Sequence, residues 1–330
     1  MRALRLYAER DLRLEDVPEP VPGYGEVIIR VEAAGICGTD RHLFLGEFPS
    51  RGPVTLGHEF SGLITAVGAG VYLPVGSRVT CDPNIPCLTC PACLKGRVNL
   101  CLRNVATGIH RDGGFAPFAA FPASKAIVLP ADMNPFHGAF AEPLACTLHG
   151  LDLAAIQPGE RCLIMGGGVI GLLALQLARL AGADAMMVTR SREKQDLALQ
   201  FGAMHVAKSA SEALSIWPNG ADVVLECAGV SDTVEAAPRL TSNGGRIVIL
   251  GVLPQGKKVQ IEPFDLLFRE IQLHFSFLNP FTQGRAAELI AKGKVELEPL
   301  ISRVITLDEA LETISHPAPA RDIRAIIIPD

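Results

Sequence analysis

One short stretch of the sequence brings together three side-chain types that bind metals. It begins at Cys37 and ends at Gly57-His58-Glu59, so it contains a thiolate, an imidazole and a carboxylate. Zinc prefers these ligand types, and a catalytic zinc takes three protein ligands and leaves its fourth position to water or substrate. Alone, the three residues would also fit a buried cysteine beside a surface His-Glu pair. Together with the motifs below, they predict a catalytic zinc site at Cys37, His58 and Glu59, with Glu142 as a candidate fourth ligand.

Four further cysteines predict a second metal site. They are separated by two, two and seven residues, at Cys87, Cys90, Cys93 and Cys101. Four thiolates in one compact loop form the closed tetrahedral site of a structural zinc. Clustered cysteines in a chain without a secretory signal pattern indicate metal binding rather than disulfides. The remaining cysteines lack such spacing, and we predict that they are small buried hydrophobic residues: Cys81, Cys146, Cys162 and Cys227.

A glycine motif predicts a dinucleotide site in the second half of the chain. Gly166, Gly168 and Gly171 form a G-x-G-x-x-G that follows the apolar run 161–165 and precedes a helix-like stretch at 172–181. In this context the glycines allow a tight turn and a close backbone approach, and the helix N-terminus faces the pyrophosphate. A strand before the motif and a helix after it make the motif specific, whereas the glycines alone would be weak support.

Two hydrophobic patterns indicate the elements that must position these motifs. Up to about Ala141, short alternating runs such as 26–31 are broken by Gly and Pro, which predicts a small β-barrel. Further on, strand candidates at 185–189, 222–227 and 246–251 alternate with helical stretches, which predicts a doubly wound parallel sheet and an α/β fold class. The tail ends in a strand-like run, 323–328, that we expect to pair back into the first domain.

Composition excludes several other functions. The chain has 330 residues, of which 48% are hydrophobic, and a net charge of −5 without long runs of either sign. It contains no polybasic stripe for nucleic acid, no segment apolar enough to span a bilayer and no signal-peptide pattern. We therefore expect a globular cytoplasmic protein that binds neither nucleic acid nor membrane.

Taken together, the motifs resemble the zinc-dependent medium-chain dehydrogenases, in particular the branch with sorbitol, other polyol and threonine dehydrogenases. The resemblance covers nearly the whole chain. It rests on motifs that occur in the family's order: Gly35-Ile36-Cys37-Gly38-Thr39-Asp40, Gly57-His58-Glu59, the four-cysteine loop, Glu142-Pro143-Leu144 and the fingerprint glycines. It implies a GroES-like β-barrel catalytic domain at 1–143 and 277–330, and a Rossmann cofactor domain at 144–276.

The resemblance also implies an activity and roles for individual residues. The activity would be hydride transfer between a secondary alcohol, or its ketone, and a nicotinamide cofactor, with two zinc ions per chain. Glu142 would lie beside the catalytic metal, touching its water or replacing Glu59 as ligand, and Thr39 with His42 would pass the proton to solvent. The predicted cofactor-binding residues are Gly166, Gly168, Val169, Ile170, Gly171, Thr189, Arg190, Arg192, Cys227, Phe275, Ser276 and Phe277.

The end of the second strand of the parallel sheet favours NADP over NAD. NAD enzymes place an acid there to bind the adenosine ribose hydroxyls, but this chain has Thr189-Arg190-Ser191-Arg192. Hydroxyls and guanidinium groups are donors suited to a 2′-phosphate. The alternative is that Arg190 and Arg192 only cap a solvated turn.

Departures from the family limit the substrate assignment. Leu278 stands where sorbitol dehydrogenases carry an arginine that reaches the polyol, and Leu43 where they carry an aromatic hydroxyl. Sorbitol itself is therefore not favoured, while a smaller polyol, a cyclic sugar alcohol or an amino-sugar precursor stays open. The alternatives are an NAD-dependent threonine- or simple-alcohol-type dehydrogenase, or a non-catalytic dinucleotide sensor. Family resemblance and the apolar strand 273–278 predict a homodimer or homotetramer.

Overall fold

The computed structural model describes residues 1–49, 51–317 and 319–330. The chain divides into two compact units. One comprises Met1–Pro143 with Pro280–Asp330, and the other comprises Leu144–Asn279. Within the described ranges, every helix is too short or too polar to cross a lipid bilayer.

Strands form where β-branched and aromatic residues alternate with polar ones or run together between turns. In chain order they are β1 (Arg2–Ala8), β2 (Asp11–Asp16), β3 (Glu26–Gly35), β4 (Val54–Thr55), β5 (Glu59–Val67), β6 (Arg78–Cys81), β7 (Asn84–Ile85), β8 (Val105–Ala106), β9 (Phe118–Pro122), β10 (Ala126–Val128), β11 (Arg161–Met165), β12 (Asp184–Val188), β13 (His205–Ala207), β14 (Ala221–Glu226), β15 (Thr241–Ile249), β16 (Gln272–Phe275), β17 (Ile301–Ile305) and β18 (Arg324–Ile327).

Helices occupy the predicted helical stretches of the second unit and a few short connections in the first. In chain order they are α1 (Gly38–Phe44), α2 (Pro91–Leu94), α3 (Pro135–Gly138), α4 (Ala141–Ala154), α5 (Val169–Leu180), α6 (Arg192–Gln200), α7 (Ala210–Ile216), α8 (Ser231–Leu240), α9 (Pro263–Phe268), α10 (Gln283–Ala291) and α11 (Leu307–Ser315).

The first unit is built mainly on antiparallel strands, with β17 and β18 as a parallel pair. Its largest sheet has the order β10-β6-β5-β3-β18-β17, with β9 also paired to β3, and smaller sheets join β2-β1-β4 and β7-β8. The C-terminal strand returns as predicted, because β18 pairs antiparallel with β3 and places Ile326 opposite Gly35.

One apolar core fills the first unit. Phe60 and Phe121 meet edge to face, with ring centroids 5.7 Å apart, and Phe115 and Leu56 are fully buried beside them. Burial of each such side chain contributes about 1.5–3 kcal/mol. This packing fixes β3 and β5, which carry the metal-binding segments.

The second unit contains a parallel sheet of six strands in the order β13-β12-β11-β14-β15-β16. This is the order of a doubly wound dinucleotide-binding sheet, so the predicted fold class is confirmed. The register places Met165 of β11 opposite Val188 of β12 and Glu226 of β14. The carboxyl ends of these three strands therefore lie side by side. β16 is the outermost strand on one side of the sheet.

Candidate metal centres and dinucleotide site

Two strand ends bring the first three predicted ligands together. β3 ends at Gly35, which is paired with Glu59 at the beginning of β5. Cys37 follows β3 as the N-cap of α1, and His58 immediately precedes β5. The thiol, imidazole and carboxylate atoms of Cys37, His58 and Glu59 all lie within 4.8 Å of one another. The pairing of β3 with β5 thus assembles the predicted set.

Local backbone features hold these two segments in place. Gly57 has φ +94°, and a Cβ added there would lie 2.5 Å from Phe115 Cδ1. Both constraints require glycine immediately before His58. On the other segment, the Cys37 N–H donates to Asp40 Oδ2 at 2.8 Å, a capping interaction at the beginning of α1.

Asp40 also lies beside His58. It is fully buried, and its Oδ1 is 3.6 Å from His58 Nδ1. Burial alone would lower the pKa of His58, but the charge of the Asp40 carboxylate, together with Cys37, raises this pKa well above its usual value. A carboxylate next to the second ring nitrogen orients metal-binding histidines. We did not predict this role of Asp40, although its spacing from Cys37 is a capping signal.

Burial and neighbouring positive charges have opposing effects on the pKa values of Cys37 and Glu59. Burial acts to raise the pKa of the Cys37 thiol, but His58 and Arg324 lower this pKa to about 7. Burial raises the pKa of Glu59 well above its usual value, against the positive charge of Arg324. Arg324, on β18, also donates to the carbonyl oxygen of Ile36. The C-terminal strand therefore places a guanidinium group beside the cluster.

The donor set fits a zinc ion. A thiol sulfur, an imidazole nitrogen and a carboxylate oxygen converge within 4.8 Å of one another, and His58 and Glu59 are buried. Arg324 is 2.9 Å from Glu59 Oε2 and balances one negative charge, so a thiolate at Cys37 would leave a second one buried, and a cation among the three groups would offset its cost. A thiolate with an imidazole favours zinc over magnesium or calcium. Glu142 is buried in the first turn of α4 but does not belong to this cluster, so its contact with the metal stays a prediction.

The predicted proton-transfer residues lie on α1. Thr39 Oγ1 is 3.7 Å from Cys37 Sγ. His42 Nδ1 is 2.6 Å from Glu47 Oε2, and these two side chains are 28% and 35% exposed. Glu47, which we did not predict, therefore orients a ring that reaches solvent. Leu43 is buried in the core of the first unit, and the substrate restriction that we attached to this position stays a prediction.

The second cysteine cluster lies between β7 and β8. Its four sulfur atoms are within 4.8 Å of one another, at Cys87, Cys90, Cys93 and Cys101. The N–H groups of Cys87 and Arg103 donate to Cys101 Sγ, at 3.2 and 3.3 Å. Hydrogen bonds from Thr89 lower the pKa of Cys87 to about 5, whereas burial and neighbouring thiols raise the pKa of Cys93 to about 12. Since adjacent thiolates repel one another, the four fit a closed site around a cation.

The glycine motif forms the turn between β11 and α5. Gly166 has φ +108°, and a Cβ on it would lie 2.9 Å from Ala228 N. A Cβ on Gly171 would collide with the carbonyl oxygen of Gly166. Gly168, the N-cap of α5, faces open space, with no other described atom within 4 Å of its Cβ position. Two glycines thus allow the turn, and the third leaves room for a phosphate at the helix N-terminus.

The end of β12 carries the residues predicted to select the cofactor. Thr189 Oγ1 would lie 2.9 Å from a Cβ on Gly167, so Thr189 is next to the glycine turn. Arg190 is exposed, and no described residue forms a hydrogen bond or ion pair with its guanidinium group. Arg192 is exposed but forms an ion pair with Asp196, at 3.0 Å. Arg190 therefore has a free guanidinium group among the described residues, whereas that of Arg192 is already paired with a carboxylate.

A third basic residue lies nearby. Ser191 caps α6, and its Oγ accepts a hydrogen bond from Lys194 N at 3.4 Å. A Cβ on Gly167 would be 3.0 Å from Lys194 Cβ, so Lys194 begins beside the glycine turn. We did not predict Lys194, although a basic residue in the first turn of a helix that follows this strand is a visible signal.

The other predicted cofactor residues border the same sheet. On the first turn of α5, Val169 is buried and Ile170 half-buried. Cys227 follows β14, with its Cβ 3.5 Å from a Cβ position on Gly171. Cys227 is only half-buried, as is Cys146, so our prediction that these two are buried hydrophobic residues is wrong; it is confirmed for Cys81 and Cys162. The partial exposure of Cys227 reflects its position in the loop after β14.

The edge strand carries the last three predicted positions. Phe275 ends β16 and is 68% exposed, and Phe277 is 47% exposed. Ser276 N donates to the carbonyl oxygen of Ile249 at 2.9 Å, which extends the pairing of β16 with β15 by one residue.

Two family models match the chain. Residues 23–131 match the alcohol dehydrogenase GroES-like domain, and residues 169–292 match the zinc-binding dehydrogenase domain. D-arabinitol dehydrogenase 1 of Uromyces fabae is 30% identical over 341 residues, which cover 100% of this chain and 97% of that protein. Galactitol 1-phosphate 5-dehydrogenase of Escherichia coli K12 is 35% identical, over 87% of this chain and 88% of that protein.

A solved structure is similar along the whole length. It is the crystal structure of a protein from Sinorhizobium meliloti 1021, described as a zinc-binding dehydrogenase and bound to NADP. It superposes with a TM-score of 0.97 at 50% identity and covers 99% of each chain. Because the family models match both parts of the chain and the relatives cover most or all of it, the chain belongs to the zinc-dependent medium-chain dehydrogenase family and is an oxidoreductase.

Proposed function

We propose that the protein interconverts a secondary alcohol group of a polyol or sugar alcohol and the corresponding ketone, with NADP(H) as hydride carrier. The observation that carries this proposal is the buried cluster of Cys37, His58 and Glu59, because three protein ligands leave a catalytic zinc open to substrate. The substrate class is supported by the names of two relatives, which act on arabinitol and on galactitol 1-phosphate.

Each metal has its own set of residues in this proposal. Cys37, His58 and Glu59 hold the catalytic zinc, with Glu142 as the nearby carboxylate of the predicted set. The structural zinc is held by Cys87, Cys90, Cys93 and Cys101. When bound, the catalytic zinc would supply Lewis-acid stabilisation of negative charge on the substrate oxygen, and NADP(H) would supply the hydride-transfer chemistry.

The protein's own residues remove the proton that the substrate hydroxyl loses. Thr39, two residues after Cys37, accepts this proton and passes it to His42 in our proposal. His42 Nδ1 is 2.6 Å from the Glu47 carboxylate, which orients the ring that takes up this proton. Because His42 and Glu47 are both partly exposed, the proton can leave to solvent from this pair.

The second unit would bind NADP at the carboxyl edge of its parallel sheet. Gly166, Gly168 and Gly171 provide the pyrophosphate turn, with Val169, Ile170 and Cys227 around it. Thr189, Arg190 and Arg192 face the adenosine ribose and its 2′-phosphate, and Phe275 to Phe277 hold the nicotinamide end. The NADP bound to the Sinorhizobium relative supports this choice.

We also propose that the protein is a homodimer or homotetramer. β16 is the edge strand of the parallel sheet, and apolar side chains are exposed on it and on α9: Phe264, Leu267, Phe268 and Phe275. An exposed apolar edge is a liability that pairing of two sheets removes. A homo-oligomer with twofold symmetry would cover it on both subunits.

A substrate screen tests the proposed reaction. Zinc-loaded protein would be mixed with NADP and a panel of polyols, polyol phosphates, threonine and simple secondary alcohols, and with NADPH and the matching ketoses. We expect a nicotinamide absorbance change with at least one polyol, and its loss in Cys37→Ala. Turnover with only threonine or simple alcohols would exclude polyols as the substrate class. Absence of turnover with every compound, although NADP binds, would favour a dinucleotide sensor.

A further inference from the structure

Glu226 is a buried carboxylate that the proposed chemistry does not use. It is the last residue of β14, next to β11 in the middle of the parallel sheet, and its exposure is 0%. The adjacent strand β11 leads directly into the glycine turn. A charged group at such a position is costly unless it is well hydrogen-bonded. Its partners therefore indicate what it does.

One carboxylate oxygen holds the loop that follows β14. Glu226 Oε1 accepts hydrogen bonds from Ala228 N at 2.8 Å and from Gly229 N at 3.0 Å. It also accepts one from Thr233 Oγ1, at 2.7 Å, on the first turn of α8. A single oxygen atom thus fixes two successive backbone amides and the beginning of the next helix.

The same residue holds the loop that follows β15. The main-chain oxygen of Glu226 accepts from Leu250 N at 2.8 Å and from Gly251 N at 3.0 Å. A Cβ on Gly251 would lie 2.6 Å from Glu226 Oε2 and equally close to Gly229 Cα. The loops after β14 and β15 therefore touch each other around this carboxylate. Burial raises the pKa of Glu226, while bonds from Thr233 and the backbone amides act to lower it.

The loop after β14 in turn contacts the glycine turn. Ala228 N, which donates to Glu226, is the atom 2.9 Å from a Cβ position on Gly166. Cys227 N donates to the carbonyl oxygen of Met165 at 2.8 Å, one residue before that turn. A shift of Ala228 would consequently change the backbone against which the Gly166 turn packs.

From these contacts we infer that Glu226 is a positioning residue for the dinucleotide: it fixes the loops after β14 and β15 against the Gly166 turn and so keeps the cofactor site formed. The inference rests on the proposed cofactor site in the second unit. It assigns Glu226 no contact with the reacting atoms. Its effect is therefore on cofactor affinity, and the catalytic step with bound cofactor should change little.

Glu226→Gln and Glu226→Ala test the inference. The amide keeps the volume and one acceptor but places an NH2 group where a carboxylate oxygen is buried, and alanine removes every side-chain acceptor. Calorimetry should show NADP binding about tenfold weaker in Glu226→Gln, which corresponds to about 1.4 kcal/mol, and weaker again in Glu226→Ala. KM for NADP should rise while kcat changes less than twofold. Amide exchange at 227–234 should become faster, and zinc content should stay the same.

Val224→Ala is the matched control. Val224 is buried in the apolar core on the same strand, and its side chain cannot form hydrogen bonds. Its truncation should therefore lower the stability of the same sheet without removing any of the hydrogen bonds that hold the two loops. It should leave the Kd for NADP unchanged. Equal weakening in Val224→Ala and Glu226→Gln at equal loss of stability would overturn the inference, as would normal NADP binding by Glu226→Gln. If the unmodified protein binds neither NADP nor NAD, the proposed cofactor site itself fails.

Discussion

Arg324 Nη1 lies 2.9 Å from Glu59 Oε2, and the two side chains are 6% and 1% exposed. A residue near the C-terminus thus compensates the charge of a proposed metal ligand near the beginning of the chain. The contact depends on the pairing of β18 with β3, because Ile326 and Gly35 are partners in that register. The C-terminal strand therefore contributes to the surroundings of the proposed metal site as well as to the sheet.

Replacing Arg324 should cost both stability and metal. Arg324→Met leaves the buried Glu59 carboxylate without its counter-charge, and breaking a buried pair in this way costs about 3–5 kcal/mol. We expect a lower free energy of unfolding and loss of one zinc ion per chain. Metal analysis and thermal unfolding measure the two effects. Arg2→Met, which removes an exposed pair with Asp308, is the control and should change neither. Full zinc content in Arg324→Met would contradict the role given to this ion pair.

The two metal sites should respond differently to mutation. Purified protein should contain two zinc ions per chain. Cys37→Ala should lose one ion and nearly all turnover while the fold survives. Cys93→Ala should instead lower the melting temperature, because a structural zinc contributes directly to the free energy of folding.

Cys162→Ala is the control for both metal variants, since Cys162 is buried in β11, belongs to neither cluster and should leave both ions in place. A single zinc ion in active protein, or an active Cys37→Ala variant, would show that the ligand assignment is wrong.

The His42–Glu47 pair should affect the rate more than substrate binding. General acid–base groups contribute about 10²–10⁴-fold, and His42 acts one step away from the substrate, so His42→Gln should lower kcat toward the smaller end of that range. Glu47→Gln keeps a hydrogen-bond acceptor but removes the charge, and its loss of kcat should be smaller. Steady-state kinetics with the best substrate of the screen measure both. An unchanged kcat in His42→Gln would remove this residue from the proton path.

Local spacing predicted the chemistry of the metal sites well. Cys37, His58 and Glu59 are brought together by one strand pair, and the four cysteines of the second cluster lie in one loop, so ligand type and order were visible in the sequence. The alternation of strands and helices likewise predicted the parallel sheet. In each case the contacts that matter lie within one motif or between elements with a strong hydrophobic pattern.

Contacts between distant residues could not be predicted in the same way. Arg324 lies beside Glu59 because of the order of the strands in the sheet, which the sequence does not show. In the sequence Glu226 is only the last residue of an apolar strand, and the three groups that donate hydrogen bonds to its side chain are visible only in the structure. Leu43 stands where sorbitol dehydrogenases carry an aromatic hydroxyl, and its burial in the core of the first unit could not be predicted from its type and position. Side-chain direction and long-range pairing decide these cases, and neither is contained in residue type and spacing.

Disrupting the edge of the parallel sheet should change the assembly. Light scattering at micromolar concentration should show a dimer or tetramer. Phe275→Glu places a charge on exposed β16, where like charges from two subunits would meet across a twofold axis, and should shift the protein toward the monomer. Tyr72→Glu, at a residue that is 97% exposed on the first unit, is the control and should not. A monomeric unmodified protein would end the proposal.

The last prediction concerns cofactor choice. Arg190 is exposed and unpaired among the described residues, whereas Arg192 already has Asp196 as its partner, so Arg190 should contribute more to binding of the 2′-phosphate. Two charge-assisted hydrogen bonds at about 1.5–3 kcal/mol each could favour NADP by roughly 10²–10⁴, and exposure to solvent reduces this toward the lower end. Arg190→Ala should therefore lower kcat/KM for NADP at least about tenfold and leave kcat/KM for NAD nearly unchanged. Arg239→Ala, at an exposed arginine on α8, should leave both values unchanged. Equal or better kcat/KM with NAD in the unmodified protein would refute the assignment, because the guanidinium groups at 190 and 192 would then only be solvated ends of a turn.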